Sequence, residues 1–585
     1  MLCSPRTVAS LIYRLMVGTA LTVGPAALAT SVIGCKDESQ PEYWLGKLDD
    51  SSWRPRAIKR LEQFLDDALT KANSDYSAPE VQALTNKLVE PLTNTYVDHY
   101  DEFDTKTRVT LIRLLSQTRD KRCERALKKA FEEFAKRPKS TKDEQDIKWA
   151  ARAAGSLKLE SLGPSMVEAF DKLRASSMLG GVSYRDVNEA MLAMPQKSWA
   201  GTLKTKLGAP IVQPKNAKDK DLIDPYRDQL FWQTTAAEVL GYTGDPSAVE
   251  PLMKVMLDPA KADVQATALL ALVKLGKPAA DAAVKLLRGE DQALAAFHAR
   301  RLKEVTNEKV DEKEKPHVQT AALIIGTIGR PEGLAPMIDA LKRETNDVTK
   351  AVIARELSKL PPTNESKQAF KDAFESISID ALIPPGQNAL ETLTEAAGQF
   401  YDSGMVSWLL ERAEKTKATG EAKKSLQGAI TVAVLKLAKS DQLAAAKKAV
   451  DQYGTDLEKK LDRMTEGLVK SCGDRVPCYL TAIEKSENQE QANQFTGIKA
   501  AYMIGILGNE QNRDELIERM DSLENAAVRF SATLAIDHLS PKGSASAAQK
   551  LKAIINKNLK SADQNKIQSD APLKQVMYRL DARGG

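Results

Sequence analysis

Histidine is nearly missing from this chain, with four in 585 residues. His99, His298, His317 and His538 are scattered, and none stands in a His-x-x-x-His or Glu-containing metal spacing. Five cysteines are too few for a disulfide scaffold or a zinc-cluster protein. Aromatic residues make up only 5%, while Ala and Leu dominate the 42% apolar fraction. Strands favour aromatic and β-branched residues, so this mix selects close-packed helices. An excess of one charge is also lacking: 84 basic against 79 acidic residues leave +5, which excludes a nucleic-acid binder working by bulk electrostatics. The sequence has no phosphate loop, nucleophile elbow or dinucleotide fingerprint. No catalytic, cofactor-binding or metal-binding residue is nominated, no small-molecule substrate is evident, and the chain reads as a non-enzyme.

The N-terminus reads as an address. Arg6 and Arg14 precede an uncharged stretch from Leu15 to Gly34, which ends in Val32-Ile33-Gly34-Cys35 before Lys36-Asp37-Glu38. A positive start, an apolar core and a small-residue exit describe a secretory signal. Twenty apolar residues can also span a bilayer, although Gly24-Pro25 interrupts the helix. The tetrapeptide resembles the bacterial lipobox. That resemblance implies cleavage before Cys35, diacylation of its thiol, and often acylation (palmitate among the chains) of its amino group. Two chains suffice for stable anchoring. Residues 1–34 are then the signal and 35–42 a tether. Lys36 rather than Asp follows the cysteine, which favours an outer membrane or the cell surface over the inner membrane. Losing Arg6 and Arg14 lowers the surplus from +5 by two, to +3.

The remainder repeats. Ala236-Ala237-Glu-Val-Leu240-Gly241-Tyr-Thr-Gly244, Ala321-Ala322-Leu-Ile-Ile325-Gly326-Thr-Ile-Gly329 and Ala500-Ala501-Tyr-Met-Ile504-Gly505-Ile-Leu-Gly508 align without gaps. Paired alanines let helices approach, the aliphatic residue fills the core, and glycine ends the helix in a left-handed cap. Weaker copies follow after 31 or 32 residues at Ala268, Ile353-Ala354 and Ser531-Ala532. Asp245-Pro246 after the first copy predicts a capped turn into a second helix.

The run at 236–252 resembles the compact HEAT-like repeat found in phycobilisome lyases. That resemblance implies an all-α α-α superhelix, a solenoid whose side chains form an extended binding surface. Degenerate helical repeats are expected over 43–207, a charged linker at 208–230 and HEAT-like repeats over 231–362. An irregular helical region over 363–470 leads to further HEAT-like repeats over 471–585. Trp44 and Trp53 mark the N-terminal unit. The charged stretches 136–148, 213–225 and 302–316 read as solvated loops, with docking segments as the alternative.

Once Cys3 leaves with the signal and Cys35 becomes the anchor, Cys123, Cys472 and Cys478 remain. Gly473 and Pro477 break any helix between the last two, so the chain can fold back into a Cys472–Cys478 disulfide. Free thiols and a redox or metal pair are the alternatives. The leading functional reading is a membrane-tethered scaffold for an unknown protein or peptide, touching it through second helices at 246–257, 332–343 and 510–523. The alternatives are a structural envelope component without a specific ligand, and a lyase-like enzyme related to phycobilisome lyases, whose cytoplasmic chemistry does not suit an exported chain.

Overall fold

The computed structural model describes residues 37–584 except 138–144, 176–182, 213, 215–219, 307–314, 384–385, 417–418, 486–490 and 562–563. The signal segment and Cys35 lie outside the described residues, as do the centres of the three charged loops. The only strands among the described residues are Leu382–Ile383 and Gln387–Asn388, a short antiparallel ribbon. Everything else regular is helical. The fold is an all-α superhelix. None of the described helices is long and apolar enough to cross a membrane.

Local chemistry sets the helix starts. Asp104, Asn346, Asn388 and Asn525 each accept backbone N–H bonds in the first turn, and Thr363 forms a reciprocal capping box with Ser366. Asp245 caps a 3₁₀ turn at Pro246–Ala248, which runs into the helix Val249–Met256. The expected left-handed caps form at Gly244 (φ +63°) and Gly329 (φ +72°). Gly508 is different: it has no positive φ, and the side chain of Asn509 starts the next helix by accepting from Gln511 and Asn512.

The helices form two rows. In the first row, Arg54–Lys71, Thr105–Thr118, Gln145–Leu157, Ser183–Ala193 and Lys220–Thr243 stack in order. Ala262–Leu275, Pro316–Ile328, Asp347–Leu357, Ala389–Gly398, Gly420–Leu437, Gln491–Leu507, Ala526–His538 and Ala571–Gly584 continue it. The second row backs it, for example Val249–Met256, Lys277–Arg288, Leu334–Arg343 and Asn364–Ser376. The second half of the charged segment 208–230 is helical from Lys220. The stack also runs unbroken through 363–470, where the alanine motif is replaced by aromatic packing. Phe370 meets Phe400 with ring centroids 5.1 Å apart, and Phe374 meets Trp408 at 5.1 Å.

Polar rungs tie successive first-row helices. Arg108 pairs with Asp146, Arg152 with Asp186 at 2.5 Å, Tyr226 with Asp263, and Arg529 with Asp570. In each rung the acid sits at or near the start of the later helix, where a negative charge suits the N-terminal dipole. Two buried lysines cap helix ends instead. Lys499 Nζ donates to the carbonyls of Lys436 (3.0 Å) and Ala438 (2.5 Å), and Lys261 Nζ to those of Leu207 and Ala209.

Candidate interaction surface

The middle glycine of each nine-residue motif governs how closely the first-row helices approach. A Cβ on Gly241 would lie 2.7 Å from Ala271 Cα, and one on Gly326 would lie 2.7 Å from a Glu356 carboxylate oxygen. One on Gly505 would strike the Tyr401 ring. The degenerate copy at Gly155 does the same, 2.9 Å from Ala190 Cα. These contacts produce shallow channels floored by small residues.

One channel is filled by the chain itself. The last helix, Ala571–Gly584, packs on Ala526–His538, as the next member of the row should, but also on Ala262–Leu275 and Pro316–Ile328. Tyr578 lies over the Gly241–Ala271 channel, edge-to-face with Tyr242 at 6.1 Å, and their hydroxyls are 2.6 Å apart. Lys574 bonds Glu238 at 2.9 Å, and Arg583 Nε donates to the Gly329 carbonyl at 2.7 Å. Arg579 donates to the Lys359 carbonyl at 2.6 Å and pairs with Asp537 at 3.1 Å. The superhelix therefore closes on its own middle repeats.

Closure settles which row faces inward. Only the inner row of a curled array can meet itself, so the first helices line the concave side and the second helices face out. The stretches 246–257, 332–343 and 510–523, expected as contact helices, lie in the outer row. Among the described residues, an N-terminal channel of the same kind lies between Gln145–Leu157 and Ser183–Ala193 with no described helix seated on it. Ala151, Arg152, Gly155, Glu189, Ala190 and Ala193 line it. It matches the filled channel position by position, with Arg152 where that channel has Glu238 and Ala193 where it has Lys274. Gly155 falls in the degenerate repeats expected over 43–207, but sequence could not show this role, because the helix that fills the equivalent channel is more than 300 residues away in sequence.

Cys472 and Cys478 lie at disulfide distance, with Cα atoms 5.4 Å apart around Gly473 at φ +54°. Cys123 is buried, and burial pushes its thiol up to about 12. His298 and His538 are driven down to about 4, chiefly by burial. Among the described residues no group of three or more His, Cys, Asp or Glu side chains is placed to hold a metal ion.

Residues 232–258 match the family model described as PBS lyase HEAT-like repeat. Among solved structures, the chain is similar to Kap121p at 13% identity, over 93% of this chain and 74% of that one, with a TM-score of 0.20. The karyopherin Kap121p bound to the extreme C-terminus of the protein phosphatase Cdc14p gives 12% identity, 91% and 72% coverage and a TM-score of 0.18. No match is found among curated protein sequences. The two-row stack and the matched segment together make this chain an α-solenoid that carries a HEAT-like repeat.

Proposed function

We propose that this chain is a non-enzymatic protein-binding scaffold, tethered through an acylated Cys35 to a membrane of the bacterial envelope. The observation that carries the reading is the docking of helix Ala571–Gly584. The concave row accepts a helix through a small-residue floor, one aromatic side chain and flanking ion pairs. The channel floored by Gly155 and Ala190 offers the same architecture to another protein. Arg152 (side chain 45% exposed) stands where the filled channel has Glu238 and already pairs with Asp186, so a partner's acid opposite it would share the guanidinium with Asp186. A partner helix with a small or aromatic face and a flanking acid fits it.

The test places a photocrosslinking amino acid at Ala193 in the channel or at exposed Lys128 on the helix Glu124–Ala135, which belongs to the second row, in cells carrying the full chain. A discrete adduct from 193 but not from 128 supports the reading. Equal, diffuse labelling from both positions overturns it. The anchor is tested separately with Cys35→Ser, which should leave an unprocessed or soluble species; unchanged membrane association would refute the lipoprotein assignment.

A further inference from the structure

Near the closing seam, the helices Asp347–Leu357, Ala389–Gly398, Ala526–His538 and Ala571–Gly584 or the turns beside them converge on a cavity of about 180 Å3. One wall is apolar, made by Leu360, Pro361, Phe530, Leu534, Pro541 and Val576. Phe530 is 48% exposed, one of few large apolar side chains left open to solvent. The other wall carries Lys359, Arg579 and Arg583 against a single acid, Asp537. Lys359 is paired with the buried Glu356 at 2.6 Å, so the two arginines against Asp537 leave a formal surplus of one positive charge.

The arginines are incompletely used. Arg579 is 3% exposed, and its bonds to Lys359 and Asp537 both run through Nη2. Arg583 engages the Gly329, Asp537 and Ser540 carbonyls and the Asp537 carboxylate through Nε and Nη1. Arg579 Nη1 and Arg583 Nη2 thus have no acceptor among the described residues. A buried guanidinium usually fills its fork, because unmade bonds to a charged group are costly.

Tyr401 adds an independent anomaly. It lines the same cavity at 6% exposure, stacked against His538 at 4.5 Å and Tyr502 at 5.2 Å. Its hydroxyl is buried without a hydrogen-bond partner, where phenylalanine would stack equally well and leave nothing unsatisfied. Its backbone holds φ +48°, a left-handed conformation that is strained for a bulky side chain. Strain and orphan donors converge on one small, positively charged, half-apolar space. A cavity of about 150 Å3 admits benzene, so this one holds a single aromatic ring with a compact head group.

We propose that this cavity binds a small aromatic monocarboxylate. Its carboxylate accepts from Arg579 Nη1 and Arg583 Nη2, and its ring lies against Phe530, Leu534 and Val576. Because Arg579, Arg583 and Val576 belong to the last helix, the ligand would join that helix to the repeats it closes upon. The inference does not rest on the scaffold reading, whose binding site is the separate channel between Gln145–Leu157 and Ser183–Ala193.

The experiment is fluorine NMR of 4-fluorobenzoate titrated with the folded, reduced-background-free full chain, with 4-fluorobenzamide as the uncharged isostere. Saturable binding of the acid, with the amide at least tenfold weaker, supports the site. Arg583→Gln should weaken the acid about tenfold or more. Phe530→Ala should weaken acid and amide alike several-fold, because it removes a half-exposed side chain from the apolar wall. No saturable binding, equal affinity for the amide, or unchanged acid affinity in both variants would overturn the proposal.

Discussion

Tyr242 and Tyr578 share a hydroxyl–hydroxyl hydrogen bond of 2.6 Å across 336 residues of sequence. Few contacts in a linear array of repeats should span such a separation, since each unit ordinarily touches only its neighbours. The pair therefore reports directly on closure. Tyr578→Ala removes a ring and a bond from the seam, which should cost it about 3 kcal/mol. Hydrogen exchange should rise in 262–275, 316–328 and 571–584 and stay unchanged in 54–118. Uniform loss of protection along the chain would contradict a local seam.

Alanine at the motif glycines separates close approach from helix propensity. Gly326→Ala forces a methyl against Glu356, and Gly505→Ala forces one against the Tyr401 ring. Each should destabilise by about 1–3 kcal/mol, the range for overpacking. Gly467, inside the helix Asp456–Cys472, has nothing within 4 Å of an added Cβ. Gly467→Ala should stabilise by about 0.5–1 kcal/mol. Urea midpoints of the three variants decide; a gain at 326 or 505 would remove the packing argument.

These positions also show what was legible from sequence. The nine-residue motif located first-row helices correctly, because alanine pairs and capping glycines act locally. The same motif is silent about the middle glycine's partner, which lies on the next helix of the row or, for Gly505, on Tyr401 more than a hundred residues earlier. The segment 363–470 looked irregular for a physical reason. Its core is built on Phe370, Phe374, Phe400 and Trp408, so the stack persists while the alanine signature does not. Which row faces inward was likewise invisible, since it depends on curvature summed over many repeats and on the final helix returning to the middle.

The rung between Arg108 and Asp146 is buried on both sides, at 7% and 1% exposure. Removing Arg108 leaves the buried Asp146 with weaker compensation, from the more distant Arg137 (4.0 Å) and the Tyr96 hydroxyl (3.3 Å). Arg108→Ala should cost about 3–5 kcal/mol, whereas Arg108→Met combined with Asp146→Leu should cost clearly less. A double-mutant cycle on equilibrium unfolding of the N-terminal helices checks this; a double variant as damaged as the sum of its singles would show that the two residues do not act as a pair.

Acid should loosen the molecule before it unfolds. His538, stacked on Tyr401, is held at about 4 by burial, with Arg583 adding to the effect and Asp537 opposing it. His298 is held at about 4 by burial and His317, against Asp258. Both folded values lie below the unfolded value near 6.5, so between pH 6.5 and 4 the unfolded chain binds more protons. Stability from these groups is complete above pH 6.5 and falls as the pH drops to 4, by up to about 3 kcal/mol for each. His538→Phe keeps a ring on Tyr401 and removes one titration. Its urea midpoint should decline less than the wild type's between pH 7 and pH 5, and parallel declines would exclude His538 as a contributor.

Thiol accounting closes on the two cysteine environments. A Cys472–Cys478 bond would close a seven-residue ring and stabilise by about 2 kcal/mol in the loop-closure treatment. Cys123 is fully buried, and its thiol titrates near 12, so it is unreactive while the protein is folded. Under the proposed processing, with Cys3 removed and Cys35 acylated, the protein should take up no iodoacetamide when native, one equivalent when denatured without reductant, and three after reduction. Peptide mapping should recover 472 and 478 joined. Three equivalents without reductant would mean that the two cysteines remain thiols in the environment where the protein resides.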